Sequence, residues 1–269
     1  MRRLLHTSAF VLCMTLPVAA EAPAVRLTVI LTPERVKASN LETLTPVLTV
    51  NNRGTIVIAE PNNLFMPNNR TFLFDAPTPV SDCAFTPDGA LLVVSGNTLG
   101  YHAGGQYHPQ ITLPENAMRL AVGPEQVYVY GGDCNEACSI YVVEPQRGHA
   151  KLCTMPSPIG AAAATGDTLY FAAANEIYRL TPGDEINLIC HLPGPAITSI
   201  TAADEDTLYF IAGQTLYTWQ AGRVGIISEG LGDVACWRGG TLYILNVAKQ
   251  SLIKLENLPG LGAVPQETP

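Results

Sequence analysis

Short apolar runs separated by polar turns recur along most of the chain. The clearest copies are residues 166–180 (GDTLYFAAANEIYRL), 205–219 (EDTLYFIAGQTLYTW) and 239–255 (GGTLYILNVAKQSLIKL). In each copy apolar and polar positions alternate over four to six residues, and Gly, Asn, Asp or Pro stands between the runs. This alternation predicts strands joined by tight turns, because successive side chains of a strand point to opposite faces.

Six copies of this pattern follow one another at a nearly constant spacing. Their first apolar runs open at Thr55, Ala90, Val127, Thr168, Thr207 and Thr241, which lie 34 to 41 residues apart. Four strands fit in each copy; in the fifth they are predicted at 197–203, 207–212, 215–220 and 225–228. A β-helix would have shorter coils and a sandwich would not keep one spacing, so the period predicts an all-β, six-bladed β-propeller of four-stranded antiparallel blades.

The predicted propeller spans residues 21–257 and is closed by its first strand. The predicted blades are residues 45–78, 79–114, 115–157, 158–194, 195–232 and 233–257. The last copy runs into a flexible tail, 258–269, whose prolines and glycines cannot supply a fourth strand. We therefore expect the apolar segment 25–31 to pair as the outer strand of the last blade and to close the ring, which would bury an open sheet edge.

The first 20 residues have the pattern of a secretory signal peptide. Arg2 and Arg3 precede a mostly apolar run that ends in small residues, as such signals do. The alternative, a membrane anchor, needs about 20 apolar residues, and polar residues interrupt this run. We expect cleavage after Ala20 and an exported protein, periplasmic or secreted, that has no membrane span after signal removal and is monomeric.

Composition excludes two further classes of protein. Apolar residues make up 47% of the chain and charged residues 14%, so it is not a disordered polymer. The 15 basic and 23 acidic residues give a net charge of −8. Nucleic acid is therefore not an expected partner, since binding its phosphates requires clustered cations.

The repeats resemble the six-bladed propellers of the NHL-repeat and YWTD groups. The resemblance rests on Leu169-Tyr170-Phe171 with Ile177-Tyr178-Arg179, and on the matching residues of the next two copies. The aspartate that closes the YWTD tetrapeptide is missing, because Ala173, Ala212 and Asn246 stand near its place. The resemblance implies the fold, and protein binding or scaffolding as the usual role, while related six-bladed folds host lactonases and quinone-dependent dehydrogenases.

The first residues of the inner strands are predicted to form the rim of a central channel. Alignment of the copies places six residues at this rim: Val47, Asp82, Arg119, Gly160, Ser199 and Asp233. Asp82 and Asp233 are the rim carboxylates, and Asp82 beside Arg119 is interpreted as a polar pair. No metal site or cofactor is predicted, because a metal held by oxygen ligands would need several converging carboxylates or amides and the histidines lack ligand spacing.

The third copy carries a lengthened turn, GGDCNEAC, that holds two cysteines. The distance along the chain from the first to the second apolar run is nine residues in four copies but thirteen in this one, from Val127 to Ile140. We predict four inserted residues and a disulfide between Cys134 and Cys138, because an exported chain keeps disulfides and a hairpin brings such cysteines within reach. The other mature cysteines, Cys83, Cys153, Cys190 and Cys236, are predicted to be buried small apolar residues.

Two functions remain open from the sequence. The first is a non-catalytic binding or scaffold module that recognises a protein or cell-envelope component through one face, which is predicted to carry Asp82, Arg119, Ser199, Asp233, Asp133, Asn135 and Glu136. The second is an enzyme centred on the channel, either a metal-dependent lactonase-like hydrolase or a quinone-dependent dehydrogenase. The sequence favours the first, because it contains no nucleophile elbow, phosphate loop or zinc-protease motif.

Overall fold

The predicted all-β propeller is confirmed by a computed structural model of the chain. The structure describes residues 25–31, 47–59, 63–67, 71–75, 78–131, 137–144, 148–181, 183 and 185–258. These residues form 24 strands and no helix, so none of them belongs to a helix that could cross a membrane. The predicted signal, residues 1–20, and the tail after Leu258 lie outside the described residues, so export stays a prediction.

The strands form six antiparallel sheets of four, and each sheet is one blade. Blade 1 contains β2 (Val47–Val50), β3 (Ile56–Ala59), β4 (Asn63–Met66) and β5 (Thr71–Asp75). Blade 2 contains β6 (Val80–Phe85), β7 (Leu91–Ser95), β8 (Thr98–Ala103) and β9 (Gln106–Thr112). Blade 3 contains β10 (Met118–Val122), β11 (Val127–Gly131), β12 (Cys138–Glu144) and β13 (Gly148–Met155).

The last three blades repeat this order of strands. Blade 4 contains β14 (Ile159–Thr165), β15 (Thr168–Ala173), β16 (Glu176–Thr181) and β17 (Glu185–His191). Blade 5 contains β18 (Ile197–Asp204), β19 (Thr207–Ala212), β20 (Thr215–Gln220) and β21 (Arg223–Ser228). Blade 6 contains β22 (Val234–Arg238), β23 (Thr241–Asn246), β24 (Ser251–Glu256) and, as its outer strand, β1 (Arg26–Leu31).

Apolar side chains pack between neighbouring blades all around the ring. The described residues form one buried apolar cluster at each of the six seams between blades. The second strand of a blade lies deepest: every residue of β15 and of β19 is buried, because both faces of these strands meet another blade. This accounts for the continuous apolar runs that the sequence shows at these two strands.

The ring is closed in the predicted way. β1 pairs antiparallel with β24, with Arg26 opposite Glu256 and Val29 opposite Ile253. The seam between blades 6 and 1 is itself an apolar cluster, in which Leu245 and Leu252 pack with Leu48, Val50, Ile56 and Ile58. The first strand of the propeller therefore covers the edge that the last strand would otherwise expose.

The predicted length of the blade-3 insertion is wrong by one residue. Tyr130 pairs with Ile140, whereas at the equivalent place of blade 2 Val94 pairs with Leu99. Nine residues separate the first pair and four the second, so the insertion is five residues rather than four. The error arises because Gln126, and not the apolar Val127, stands at the equivalent first position of blade 3.

Removal of residues 25–31 is expected to destabilise the whole ring. The loss of β1 exposes β24 as an open edge, and we expect a fall in Tm of at least about 10 °C, since in a protein of this size each kcal/mol corresponds to about 2–4 °C. Circular dichroism and light scattering on heating measure unfolding and aggregation. A peptide of residues 25–31 should raise the Tm again and a scrambled peptide should not; an unchanged Tm in the shortened chain would contradict this role of β1.

Candidate functional site

The inner strands of all six blades surround a channel along the ring axis. It encloses a cavity of about 180 Å³. The wall contributed by blade 4 is made of small residues, Ala161–Ala164, and among the described lining residues the charged side chains are Asp82, Arg119 and Arg238. The surface of this cavity is mostly polar, and a concave site in which a few polar groups converge is a usual place for a small molecule to bind.

The structure brings most of the predicted rim residues together in the channel, but not all. Val47, Asp82, Arg119 and Ser199 line the cavity, whereas Gly160 and Asp233 do not. The two misplaced residues are one position away from residues that do line it, Ala161 and Val234.

Both misplacements are errors of one residue in the alignment of the copies. Gly160 stands between Ile159 and Ala161, where the register shifts, just as it does immediately before the lining residues Asp82 and Ser199; Ala161 is therefore their equivalent in blade 4. Asp233 precedes β22, and its Oδ2 accepts the Val247 N–H at 2.8 Å. The Asp233 carboxylate therefore supports the turn between β23 and β24 instead of facing the channel.

Asp82 is a buried carboxylate held by two backbone amides. The residue is 6% exposed; its Oδ1 accepts the Cys83 N–H at 2.7 Å and its Oδ2 accepts the Leu120 N–H of blade 3 at 2.8 Å. Burial raises the pKa of the Asp82 carboxyl above its usual value, while Arg119 and the two amides oppose this shift. Both oxygens act as acceptors, and a carboxylate has further lone-pair sites that can accept a proton from a bound molecule.

Arg119 places a guanidinium beside this carboxylate. Its Nε lies 3.7 Å from Asp82 Oδ2 and makes no hydrogen bond, while its Nη1 donates to the Gly160 carbonyl of blade 4 at 2.7 Å. The neighbouring Tyr130 and Asp82 raise the pKa of Arg119, and this effect outweighs burial, which lowers it. The guanidinium stays charged, and its second terminal nitrogen remains available to a molecule in the channel.

Tyr130 is a channel residue that the sequence did not single out. It is 2% exposed, its hydroxyl accepts the Ala162 N–H at 3.1 Å, and burial raises its pKa to about 12. Tyr130 therefore stays protonated and completes a polar cluster with Asp82 and Arg119. Tyr130 belongs to the second strand of its blade, where most residues are buried, so the sequence did not indicate that it lines the channel.

Several polar side chains of the channel join one blade to the next. The backbone N–H groups of Phe85, Ala235 and Trp237 on inner strands donate to hydroxyl oxygens of the preceding blade: Thr49 Oγ1 at 3.2 Å, Ser199 Oγ at 2.9 Å and Thr201 Oγ1 at 2.9 Å. An inner strand has no neighbouring strand on its channel side, so its buried amides need such partners. Ser199 is thus engaged in joining blades 5 and 6.

The cysteines partly follow the prediction. Cys83 and Cys190 are buried, while Cys153 and Cys236 are only partly so, and none of the four is in a disulfide. Cys83 and Cys236 line the channel, and burial is the main cause that raises the pKa of both thiols. A thiol is a nucleophile as its thiolate, so neither cysteine is suited to nucleophilic attack at neutral pH.

Four of the predicted site residues belong to the lengthened turn of blade 3. Asp133, Cys134, Asn135 and Glu136 lie outside the described residues. Cys138 takes part in a disulfide, and its pairing with Cys134 stays a prediction. A protein or envelope component as the partner likewise stays a prediction.

No protein-family model matches the chain, and no curated protein matches its sequence. Several solved structures are similar to it in fold. A gluconolactonase from Xanthomonas campestris is 12% identical with a TM-score of 0.62, over 78% of this chain and 84% of that chain. A luciferin-regenerating enzyme is 10% identical with a TM-score of 0.62, over 81% and 92%.

A third similar structure is that of regucalcin, a calcium-binding protein, from Agrobacterium tumefaciens. It is 16% identical with a TM-score of 0.60, over 77% of this chain and 88% of that chain. At these identities the similarity shows the fold, and it confirms the predicted resemblance to six-bladed propellers. The expectation of a non-catalytic module is contradicted, because the neighbours include a gluconolactonase and a luciferin-regenerating enzyme; the alternative, an enzyme centred on the channel, fits better.

Ser199→Ala is expected to weaken the joint between blades 5 and 6. The variant leaves the Ala235 N–H without its acceptor, and an unsatisfied buried donor costs about 1–3 kcal/mol in the free energy of unfolding. Urea denaturation measures this change. Thr112→Ala, at the exposed end of β9, is the control and should change it by less than about 0.5 kcal/mol; equal effects of the two variants would contradict the role of Ser199.

Proposed function

We propose that the protein is a lactonase-like hydrolase whose reaction takes place in the channel at Asp82 and Arg119. The observation that carries the proposal is the pairing of one buried carboxylate with a guanidinium 3.7 Å away, inside the cavity of the channel. The fold shared with a gluconolactonase supports the class of reaction. The size of the cavity, about 180 Å³, suits a small metabolite, since drug-sized ligands occupy about 300–1,000 Å³.

Asp82 acts as the general base in this proposal. It takes a proton from a water molecule while the water oxygen forms a bond to the carbonyl carbon of the lactone. The raised pKa of Asp82 makes it a stronger base than an exposed aspartate, and a base works best when its pKa is near the working pH. No covalent intermediate with the protein is formed.

Arg119 stabilises the negative charge that develops in this step. The electrons of the carbonyl double bond move onto its oxygen, and the guanidinium of Arg119 donates hydrogen bonds to that oxygen. When the intermediate collapses, the ring C–O bond breaks and the leaving alkoxide takes the proton back from Asp82. One lactone and one water give one hydroxy acid, and Asp82 returns to its starting state.

The described channel residues do not fit a bound divalent cation such as the calcium that regucalcin is named for. Calcium takes six to eight oxygen ligands, and no group of three or more His, Cys, Asp or Glu is close enough together among the described residues to hold a metal. Asp82 accepts hydrogen bonds from two amides and lies beside Arg119, whose charge repels a cation. In the proposed reaction the guanidinium of Arg119, and not a metal ion, stabilises the negative charge on the carbonyl oxygen.

Asp82→Asn is expected to lower kcat/KM for glucono-δ-lactone by at least about 100-fold, because a general base contributes about 10²- to 10⁴-fold. Arg119→Met should lower it by about 10²- to 10³-fold, as the loss of an oxyanion donor does. Titration of the released acid at constant pH measures the rate. Asp206→Asn, in the exposed turn between β18 and β19, is the matched control; equal rates for Asp82→Asn and the control would contradict the role of Asp82.

The pH dependence tests the same base. The ionised form of Asp82 is the active one, so kcat/KM should rise with pH through the pKa of Asp82 and then level off. Because burial raises this pKa, the midpoint of the acidic limb should lie above the usual value of 3.8. A midpoint at or below that value would assign the limb to another group.

Chelator treatment should leave the rate unchanged. The basis is the donor set of the described channel residues, which offers no cation site. Dialysis against EDTA, followed by elemental analysis and the same titration, measures both metal content and turnover. A loss of turnover that Ca²⁺ or Zn²⁺ restores would contradict the metal-independent reaction.

A further inference from the structure

A second arginine lies at the other end of the channel from Asp82 and Arg119. Arg238 is the last residue of β22 and lines the same cavity. Its Nε donates to the carbonyl of Val50 at 2.9 Å and its Nη2 donates to that of Phe85 at 3.1 Å; these are the last residues of β2 and β6. Asp82 lies three residues before Phe85, which corresponds to about 10 Å along a strand.

The hydrogen bonds of Arg238 leave part of its guanidinium unused. The two carbonyls occupy two of the five N–H donors that a guanidinium carries, and three remain. Among the described residues no carboxylate lies within 4.0 Å of Arg238; the ion pairs formed by these residues involve Arg119, His191 and Lys254. The charge of Arg238 therefore has no acidic partner in this part of the chain.

The channel consequently has a charge opposite to that of the protein. The chain as a whole carries −8, whereas the described residues of the cavity wall carry two guanidiniums and one carboxylate. The low dielectric of the surrounding protein concentrates the field of such charges in a cleft and draws in ligands of the opposite sign. A planar guanidinium with free donors matches a carboxylate, which it can bind through two parallel hydrogen bonds.

We propose that Arg238 binds a carboxylate of the substrate, so that the channel selects small lactones that carry a carboxylate away from the ring carbonyl. This inference rests on the proposed function for the position of the carbonyl, which lies at Asp82 and Arg119. The reacting carbonyl at Asp82 and the carboxylate at Arg238 then lie toward opposite ends of the channel, because Asp82 and Phe85 are three residues apart along β6. The small cavity leaves room for a compact molecule between the two arginines.

A matched pair of lactones tests this selection. One is γ-butyrolactone with a carboxylate on its γ-carbon, and the other is the corresponding carboxamide, which has nearly the same shape but no charge. The wild-type kcat/KM should be about 10- to 100-fold higher for the carboxylate, the range expected of a hydrogen-bonded charged group. Arg238→Gln should remove the preference and Arg238→Lys should retain part of it, whereas Arg223→Gln, on the exposed β21, should leave it unchanged.

Binding without turnover separates this inference from the proposed reaction. The hydrolysis product of the carboxylated lactone, 2-hydroxyglutarate, is titrated into the wild type and Arg238→Gln in a calorimeter, with the expectation that the variant binds it at least about 10-fold more weakly. Arg238-dependent binding with neither lactone hydrolysed would support the carboxylate site and contradict the hydrolase. Equal hydrolysis of the two lactones by the wild type would overturn the carboxylate site and leave the hydrolase standing, even if Arg238→Gln fails to fold.

Discussion

The structure depends on how the open edge of each inner strand is satisfied. Closure of the ring by β1 covers the open outer edge of blade 6. Every inner strand still faces the channel with backbone amides that pair with no other strand. Hydroxyl, carboxylate and phenol oxygens of one blade accept hydrogen bonds from these amides of the next blade. The residues that do so are Thr49, Asp82, Tyr130 and Ser199. Most polar groups of the channel wall are therefore used to join the blades. Only groups with spare donors or acceptors can also bind a ligand. Asp82 and the two channel arginines meet that condition.

The seam between blades 4 and 5 is joined differently and shapes the cavity. No side chain of the described strand β14 forms a hydrogen bond with β18, since β14 is almost entirely Gly and Ala. The two strands come close instead: a Cβ on Gly160 would lie 2.9 Å from the Ile197 carbonyl. Small residues thus replace polar contacts at this seam, and they leave an apolar wall in a channel whose charged groups come from blades 2, 3 and 6.

Much of the fold could be predicted from the sequence, and less of the site. The strands of blade 5 lie within two residues of their predicted ends, because alternation and turn residues report directly on hairpins. Asp82 and Arg119 were found because alignment of the copies places them at the start of inner strands. Asp233 was misplaced because the alignment was one residue out in blade 6, where Val234 lines the cavity, and Arg238 was missed because its role depends on carbonyls of blades 1 and 2, far away in sequence.

The pairing of β1 with β24 sets the order of events in biosynthesis. A chain still on the ribosome can assemble hairpins one after another, yet the circle stays incomplete until residue 256 has emerged and can meet residue 26. Until then the apolar surfaces of the first and last blades have no cover, and an arrested or shortened polypeptide would present them to other chains. Such a design makes maturation all-or-none: the cavity exists only in molecules whose synthesis has run to the final blade.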